Sequence, residues 1–225
     1  MRPPDAGARA SLERLAAALS LAPTPPQIDA LLDYLALLQR WNATYNLTAV
    51  RDPAHMLTHH LADCLAVVAP LQRQLGEAAG RQVVDVGSGG GLPGIVLAIM
   101  LPGLTVTCVD TVGKKVAFIR QVAAELRLRQ LRAEHARVED LQALRAQVIV
   151  SRAFASLADF VRLTRQLRSP DGAWLAMKGK APREEMAALP ADIEVFHVEP
   201  LQVPGLDAER CLVWLRPRAD ALVHS

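Results

Sequence analysis

The segment Asp85-Val86-Gly87-Ser88-Gly89-Gly90-Gly91-Leu92-Pro93-Gly94 concentrates the residues best suited to chemistry. An acid at the end of an apolar run, followed by closely spaced glycines and then a helix, marks the ligand crevice of a doubly wound sheet. The glycines let the backbone approach a ligand with no Cβ in the way. Two registers compete. Gly89 through Gly94 satisfies G-x-G-x-x-G, in which a helix N-terminus holds a pyrophosphate, but a triple glycine makes that match easy. Asp85-x-Gly87-x-Gly89-x-Gly91 instead puts a carboxylate two residues before the first glycine. There it would sit near the cationic methionine portion of S-adenosylmethionine and would repel a pyrophosphate. Asp110, 25 residues after Asp85, closes the next apolar run and could accept from both ribose hydroxyls in either case. A dehydrogenase would also want a donor such as Tyr-x-x-x-Lys, and neither Tyr34 nor Tyr45 is so placed. The sulfonium reading is preferred.

With that cofactor, the acceptor should be legible after the fourth strand, near the transferring methyl group. The residues there are Ser151-Arg152-Ala153-Phe154-Ala155-Ser156. They lack the Asn/Asp-Pro-Pro-aromatic signature that receives an exocyclic amine, and no cysteine stands ready to attack a pyrimidine. A ring nitrogen with a free lone pair, such as guanine N7, needs neither device. Its methylation removes no proton in the chemical step, so positioning supplies most of the rate. No residue is assigned to the chemical step itself. His59, His60 and Asp63 lack a further ligand at suitable spacing, so no metal is expected.

The elements that must position these residues fall into two regions. Residues 1–75 read as helices packed on a core, and residues 76–225 as the cofactor-binding domain. Thr24, Pro25 and Gln27 form a capping-box start, after which Ile28, Leu31, Leu32, Leu35 and Leu38 recur at helical spacing to about Trp41-Asn42. Asp52-Pro53 opens another helix, with Met56, Leu57, Leu61, Leu65 and Val68 as its stripe and Pro70 as its stop. From Gln82 short apolar strands alternate with amphipathic helices, which predicts parallel pairing through right-handed crossovers. Strands are expected at Val83–Val86, Leu104–Asp110, Arg132–Ala136, Gln147–Ser151 and Gly172–Met177. Helices are expected from the glycine loop through Met100 and from Lys114 to Leu128. Ile193–Val198 and Cys211–Leu215 flank Pro204-Gly205 and complete seven strands as a hairpin. The fold class is α/β, a Rossmann-like class I methyltransferase with a mostly parallel seven-stranded sheet and an N-terminal helical extension.

Composition sets the remaining bounds. With 225 residues, 51% of them hydrophobic, the chain can bury one sizeable α/β core. A formal charge of +2 does not by itself announce a polyanion partner. Only four of the 25 basic residues are lysines, so arginine abundance reads as compositional bias and carries little functional weight. Cys64, Cys108 and Cys211 are too scattered for a disulfide framework or zinc site, which fits a reducing cytoplasm. The longest apolar run, Ile95 to Leu101, is far too short to span a membrane. Nothing demands a dimer, and a monomer is expected.

Beyond these class features, the chain resembles the bacterial 16S rRNA (guanine(527)-N(7))-methyltransferase family, known as RsmG or GidB. The resemblance rests on Arg40-Trp41-Asn42, Tyr45-Asn46-Leu47-Thr48, Arg51-Asp52-Pro53 and the loop Asp85 to Gly94. It continues in Gly113-Lys114-Lys115, Arg137-Val138-Glu139, the Ser151 to Ser156 block and Lys178-Gly179, spanning roughly residues 39 to 215. It implies methylation of a guanine N7 in 16S rRNA, on the naked RNA or on the 30S subunit. It also implies cofactor contacts at Gly87, Leu92, Val138, Glu139 and Arg152, with Asp110 matching the ribose acid by position. Arg51 and Lys178 are candidate RNA contacts, because affinity for RNA is largely cationic. Gly90 departs from the proline that many members carry there.

Overall fold

Seven strands form one sheet in the computed structural model, which describes residues 6–48, 56–142 and 144–219. They are β1 (Gln82–Val86), β2 (Thr105–Asp110), β3 (Leu131–His135), β4 (Ala146–Ser151), β5 (Arg168–Lys178), β6 (Ile193–Leu201) and β7 (Arg210–Pro217). Their order is β3-β2-β1-β4-β5-β7-β6. The first five pair in parallel, and β7 runs antiparallel to both β5 and β6. The chain winds outward from β1 to β3 and then returns to the other side of β1 as β4. The carboxyl ends of β1 and β4 therefore flank the switch point, where such sheets open a crevice.

Successive strand residues point to opposite faces. Val83, Val148 and Val150 enter one core, whereas Val84, Val86 and Ile149 enter the other. Both faces are covered, which is why these strands read as continuous apolar runs. The helices are α1 (Ala6–Ala18), α2 (Pro25–Tyr45), α3 (Asp63–Leu65), α4 (Val68–Leu75), α5 (Gly94–Met100), α6 (Gly113–Glu125), α7 (Leu157–Thr164) and α8 (Arg183–Ala187). The apolar stripe of α2 shares the first core with α5 and α6, and α7 closes the second.

The start of α2 is anchored at both levels. The Thr24 N–H donates to Gln27 Oε1 at 2.8 Å, and the Gln27 amide donates to the Ile99 and Met100 carbonyls at 3.0 and 3.1 Å. The helix outlasts its expected end at Trp41-Asn42. Trp41 packs against Tyr45 and Phe118 with ring centroids 4.9 and 5.5 Å apart, so the last turn gains aromatic packing. Asn46 then ends it in the left-handed region at φ 49°.

Pro70 stops nothing. It falls in the first turn of α4, where a missing N–H breaks no intrahelical bond. The break lies instead at the Ala66-Val67 turn. Residues Leu57–Ala62 form a π-helical turn that runs into α3. The expected start at Asp52-Pro53 lies outside the described residues, as does Arg51. Helix α6 stops at Glu125, short of Leu128, and Arg127 turns into the left-handed region at φ 56°. β5 begins earlier than expected, and its register against β4 shifts between Ala146 and Val148. Such an irregularity tolerates Pro170, which has no N–H to give a regular ladder.

Candidate functional site

The site is built at the carboxyl ends of β1 and β4. Ser151 Oγ donates to the Val86 carbonyl at 2.7 Å and accepts from the Ala153 N–H at 3.0 Å. One serine thus ties the two strand ends and sets the direction of the chain that carries Arg152. Gly87 sits at φ 69°, and a Cβ there would stand 2.6 Å from Ala153 Cβ. Gly94 is held as tightly, since a Cβ would meet Cys108 Sγ and lie 2.9 Å from Asp85 Oδ2.

Asp85 corrects an expectation. Strand alternation turns it to the face of Val83, beneath the loop, and it lines neither cavity of the site. It is fully buried, and its Oδ2 accepts the Gly94 N–H at 2.8 Å. Burial pushes its pKa up to about 7, against the opposing pull of the Gly94 N–H and the Arg152 charge. The carboxyl group anchors the start of α5 and shapes the loop from below.

Asp110 works on the same loop from the side. Its Oδ2 accepts the Gly89 N–H and its Oδ1 the Val112 N–H, both at 2.9 Å, with Lys115 Nζ 3.8 Å from Oδ2. It stands on the rim of a cavity of about 350 Å³ lined by Val86, Val109, Val138, Phe154 and Leu163, with Glu139 at its edge. Val138 is buried in a single 3₁₀ turn after β3, where its carbonyl accepts from Gln166 Nε2 at 2.9 Å. An apolar slot with a carboxylate on its rim suits a purine nucleoside.

A second cleft of about 560 Å³ meets the first at Gly87 and Ala153, which line both. Ser88 to Gly90 and Leu92 form one wall. The others carry Thr48, His60, Asp63, Arg152, Lys178 and Arg210. The Asn42 to Thr48 turn and the π-helical turn meet here: the Thr48 N–H donates to Asn42 Oδ1 at 2.8 Å, and Thr48 Oγ1 lies 2.8 Å from His60 Nε2. Asp63 is buried, with Arg210 Nε 3.0 Å from its Oδ1 and Arg152 Nη1 3.4 Å from its Oδ2. Burial opposes the Arg152 charge, but Cys64, Asp63 and Asp85 around it more than compensate, and its pKa is raised. Lys178 Nζ donates to the Phe154 carbonyl at 3.1 Å and to Glu185 Oε2 at 2.7 Å, bracing the Ser151 to Ser156 block from β5.

Gly87, Leu92, Asp110, Val138, Glu139 and Arg152 are thus brought around two joined cavities, and Lys178 lies on the outer one. Among the described residues no group of three His, Cys, Asp or Glu could hold a metal ion, and no described helix is long and apolar enough to cross a membrane. Sequence reasoning missed Arg210 and Tyr34. Tyr34 is fully buried in α2, and its hydroxyl donates to the Gly90 carbonyl at 2.8 Å, joining the helical region to the loop. Arg210 had a signal: an antiparallel β7 starts where β5 ends, with Cys211 opposite Lys178.

Comparison with known proteins agrees with this architecture. The structure of TrmN from Thermus thermophilus is similar with a TM-score of 0.55 at 18% identity, over 72% of this chain and 53% of that one. A SAM-dependent methyltransferase from Geobacter sulfurreducens, solved with S-adenosyl-L-homocysteine, gives 0.55 at 13% identity, over 81% and 98%. These likenesses show the class I methyltransferase fold. Sequence relatives are nearer. The ribosomal RNA small subunit methyltransferase G of Methylibium petroleiphilum is 61% identical, over 95% of this chain and 96% of the relative. That of Leptothrix cholodnii is 63% identical, over 92% and 94%. The profile of the family described as rRNA small subunit methyltransferase G matches residues 27–213, and the chain belongs to that family.

Proposed function

We propose that this protein methylates N7 of a guanine in 16S rRNA, at the position the family resemblance gives as 527, with the RNA presented on the small ribosomal subunit. S-adenosylmethionine is the methyl donor. The observation that carries the reading is 61% identity, over 95% of the chain, to a protein named ribosomal RNA small subunit methyltransferase G. The site fits the donor: where an apolar, acid-rimmed cavity joins a polar cleft, Gly87 has no side chain and Ala153 contributes only a methyl group.

The donor supplies an electrophilic methyl group on a sulfonium sulfur. Val138 and Glu139 would flank the adenine, Asp110 would accept from the ribose, and Gly87 and Leu92 would border the methionine portion. Arg152 would fix the wall facing it. N7 brings its own lone pair, so these residues need to align donor and acceptor and exclude water, and none must take a proton. The cationic cleft, with Arg152, Lys178 and Arg210 on its walls, would receive the RNA, with Arg51 a further candidate.

The test is methyl transfer from labelled S-adenosylmethionine to 30S subunits of a strain lacking the corresponding gene, followed by mapping of the modified nucleotide. Label in 7-methylguanosine at that position is expected. Label confined to small metabolites, or to another base, would overturn the reading.

A further inference from the structure

We infer that Asp63 is the residue that selects guanine, reading N1–H and the N2 amino group of the acceptor base. The inference rests on the guanine-N7 reading above and adds to it the group that recognises the base. Among the described residues, Asp63 carries the only carboxylate lining the larger cleft. Each of its oxygens has one cationic partner, Arg210 on Oδ1 and Arg152 on Oδ2, and a carboxylate oxygen has two lone-pair sites. Each oxygen therefore keeps one lone-pair site that these two partners do not take.

The chemistry of the acceptor shows why that matters. The commonest protein contact to guanine is an arginine forked on N7 and O6. Here N7 is the nucleophile, and a guanidinium on it would occupy the lone pair the reaction needs. That leaves O6 and the opposite edge, which offers two adjacent donors, N1–H and N2–H. A carboxylate accepts both. Adenine presents an acceptor at its N1, which the same carboxylate repels. Arg152 and Arg210 flank Asp63 on the same cleft, and an N–H from either would donate to O6 and leave N7 free.

The pairing also strengthens as the reaction proceeds. The N7 lone pair forms the new N–C bond while the methyl carbon's bond to sulfur breaks, its electron pair staying on sulfur. The positive charge of the sulfonium passes to the purine, and N1–H becomes a better donor. An interaction that tightens in the transition state raises the rate as well as the selectivity.

The experiment compares 30S subunits reconstituted on ligated 16S rRNA carrying guanosine or inosine at the target position. Inosine keeps N7, O6 and N1–H and lacks only the N2 amino group. For the wild-type protein, kcat/KM is expected to fall by about tenfold or more on inosine, the cost of losing a good contact to a base edge. In Asp63→Asn the guanosine rate falls towards the inosine rate and the ratio between them approaches one, while calorimetric affinity for S-adenosylmethionine is kept. Dividing the wild-type ratio by the variant's ratio cancels any intrinsic difference in N7 reactivity. A wild-type ratio near one overturns the inference. So does a variant that loses both rates by the same factor, because that is what a purely structural role in holding Arg152 and Arg210 would do. Should Asp63→Asn fail to bind the cofactor, Asp63→Ser, which leaves room for water between the guanidiniums, carries the same comparison. Wild-type protein that methylates neither substrate at N7 sinks the proposed function together with this inference, an outcome distinct from equal rates on both.

Discussion

The two cavities that meet at Gly87 are built in opposite ways. The smaller is made mostly from the turns at the carboxyl ends of β1 to β4, with Leu163 of α7 added, and its lining is mostly apolar. The larger adds to the glycine loop and the Arg152 turn the end of α2, the π-helical turn with the start of α3, the β5 end and the first residue of β7, and Asp63, Arg152, Lys178 and Arg210 bring charge to its walls. Local construction gives a slot whose shape the turns following the strands define. Non-local construction places Asp63 beside Arg210, 147 positions away in sequence, and lets the acceptor side change without disturbing the donor side.

That division can be broken most severely at Gly87, where the two regions join. A side chain there would face left-handed strain of about 1–2 kcal/mol in addition to the collision with Ala153. Gly87→Val is expected to raise the calorimetric dissociation constant for S-adenosylmethionine by about 100-fold or more. Methylation of 30S subunits should fall at least as far. Undiminished cofactor affinity would mean that the passage between the cavities is not where the cofactor lies.

Asp110→Asn tests the smaller cavity alone. The substitution removes the charge and replaces one oxygen that accepts a backbone N–H by a donor. One charge-assisted hydrogen bond is worth about 1.5–3 kcal/mol, so cofactor affinity should drop roughly 10- to 100-fold. RNA affinity, measured by filter binding, should stay within about twofold, since the charge lost is not a cation neutralising phosphate.

Arg210→Ala is the complementary probe. It takes a cation from the larger cleft and should lower kcat/KM for 30S subunits by about tenfold, with weaker salt dependence, as expected for a lost cationic RNA contact. Cofactor affinity should be unchanged. If it falls too, the two regions are coupled through Asp63 and Arg152, and their independence fails.

The same contrast decides what was legible in the sequence. The seven strands, the glycine loop and Asp110 could be read because each is encoded by neighbours: apolar runs, turn residues, an acid at a strand end. Asp85 was found for the right pattern and given the wrong direction, because alternation along β1 determines its face, and spacing to the glycines does not. Pro70 misled because a proline opens a helix as readily as it closes one. The acceptor side was legible only through resemblance. Its contacts join segments whose proximity depends on β7 running antiparallel and on a π-helical turn, and neither follows from local periodicity.

Asp85 offers a smaller effect, seen in stability. Its pKa is raised from 3.8 to about 7 by burial, so the folded state favours the neutral carboxyl. The sign follows by linkage: its contribution is fully present below the unfolded pKa and is lost as pH rises through about 7. Thermal midpoints measured from pH 5 to pH 8 should therefore decline in the wild type and decline less in Asp85→Asn. An identical slope in both proteins would show that Asp85 does not titrate in that window.

The smallest expected effect is at Gly90, where α2 touches the glycine loop through Tyr34. Its φ is not positive, so a side chain meets no left-handed strain, and an alanine would shed unfolded-state entropy worth about 0.4–1 kcal/mol. Against that gain, its Cβ would lie 3.2 Å from Leu38 Cδ1, tighter than an ordinary contact, and Leu38 is itself buried in the core. The two effects are of similar size, so Gly90→Ala should change the thermal midpoint little and cofactor affinity by less than about threefold. A large loss of affinity would show that Leu38 cannot yield and that α2 fixes the loop from the helical side. The glycine wall of the larger cleft would then depend on a distant segment for the cofactor as well as for the acceptor.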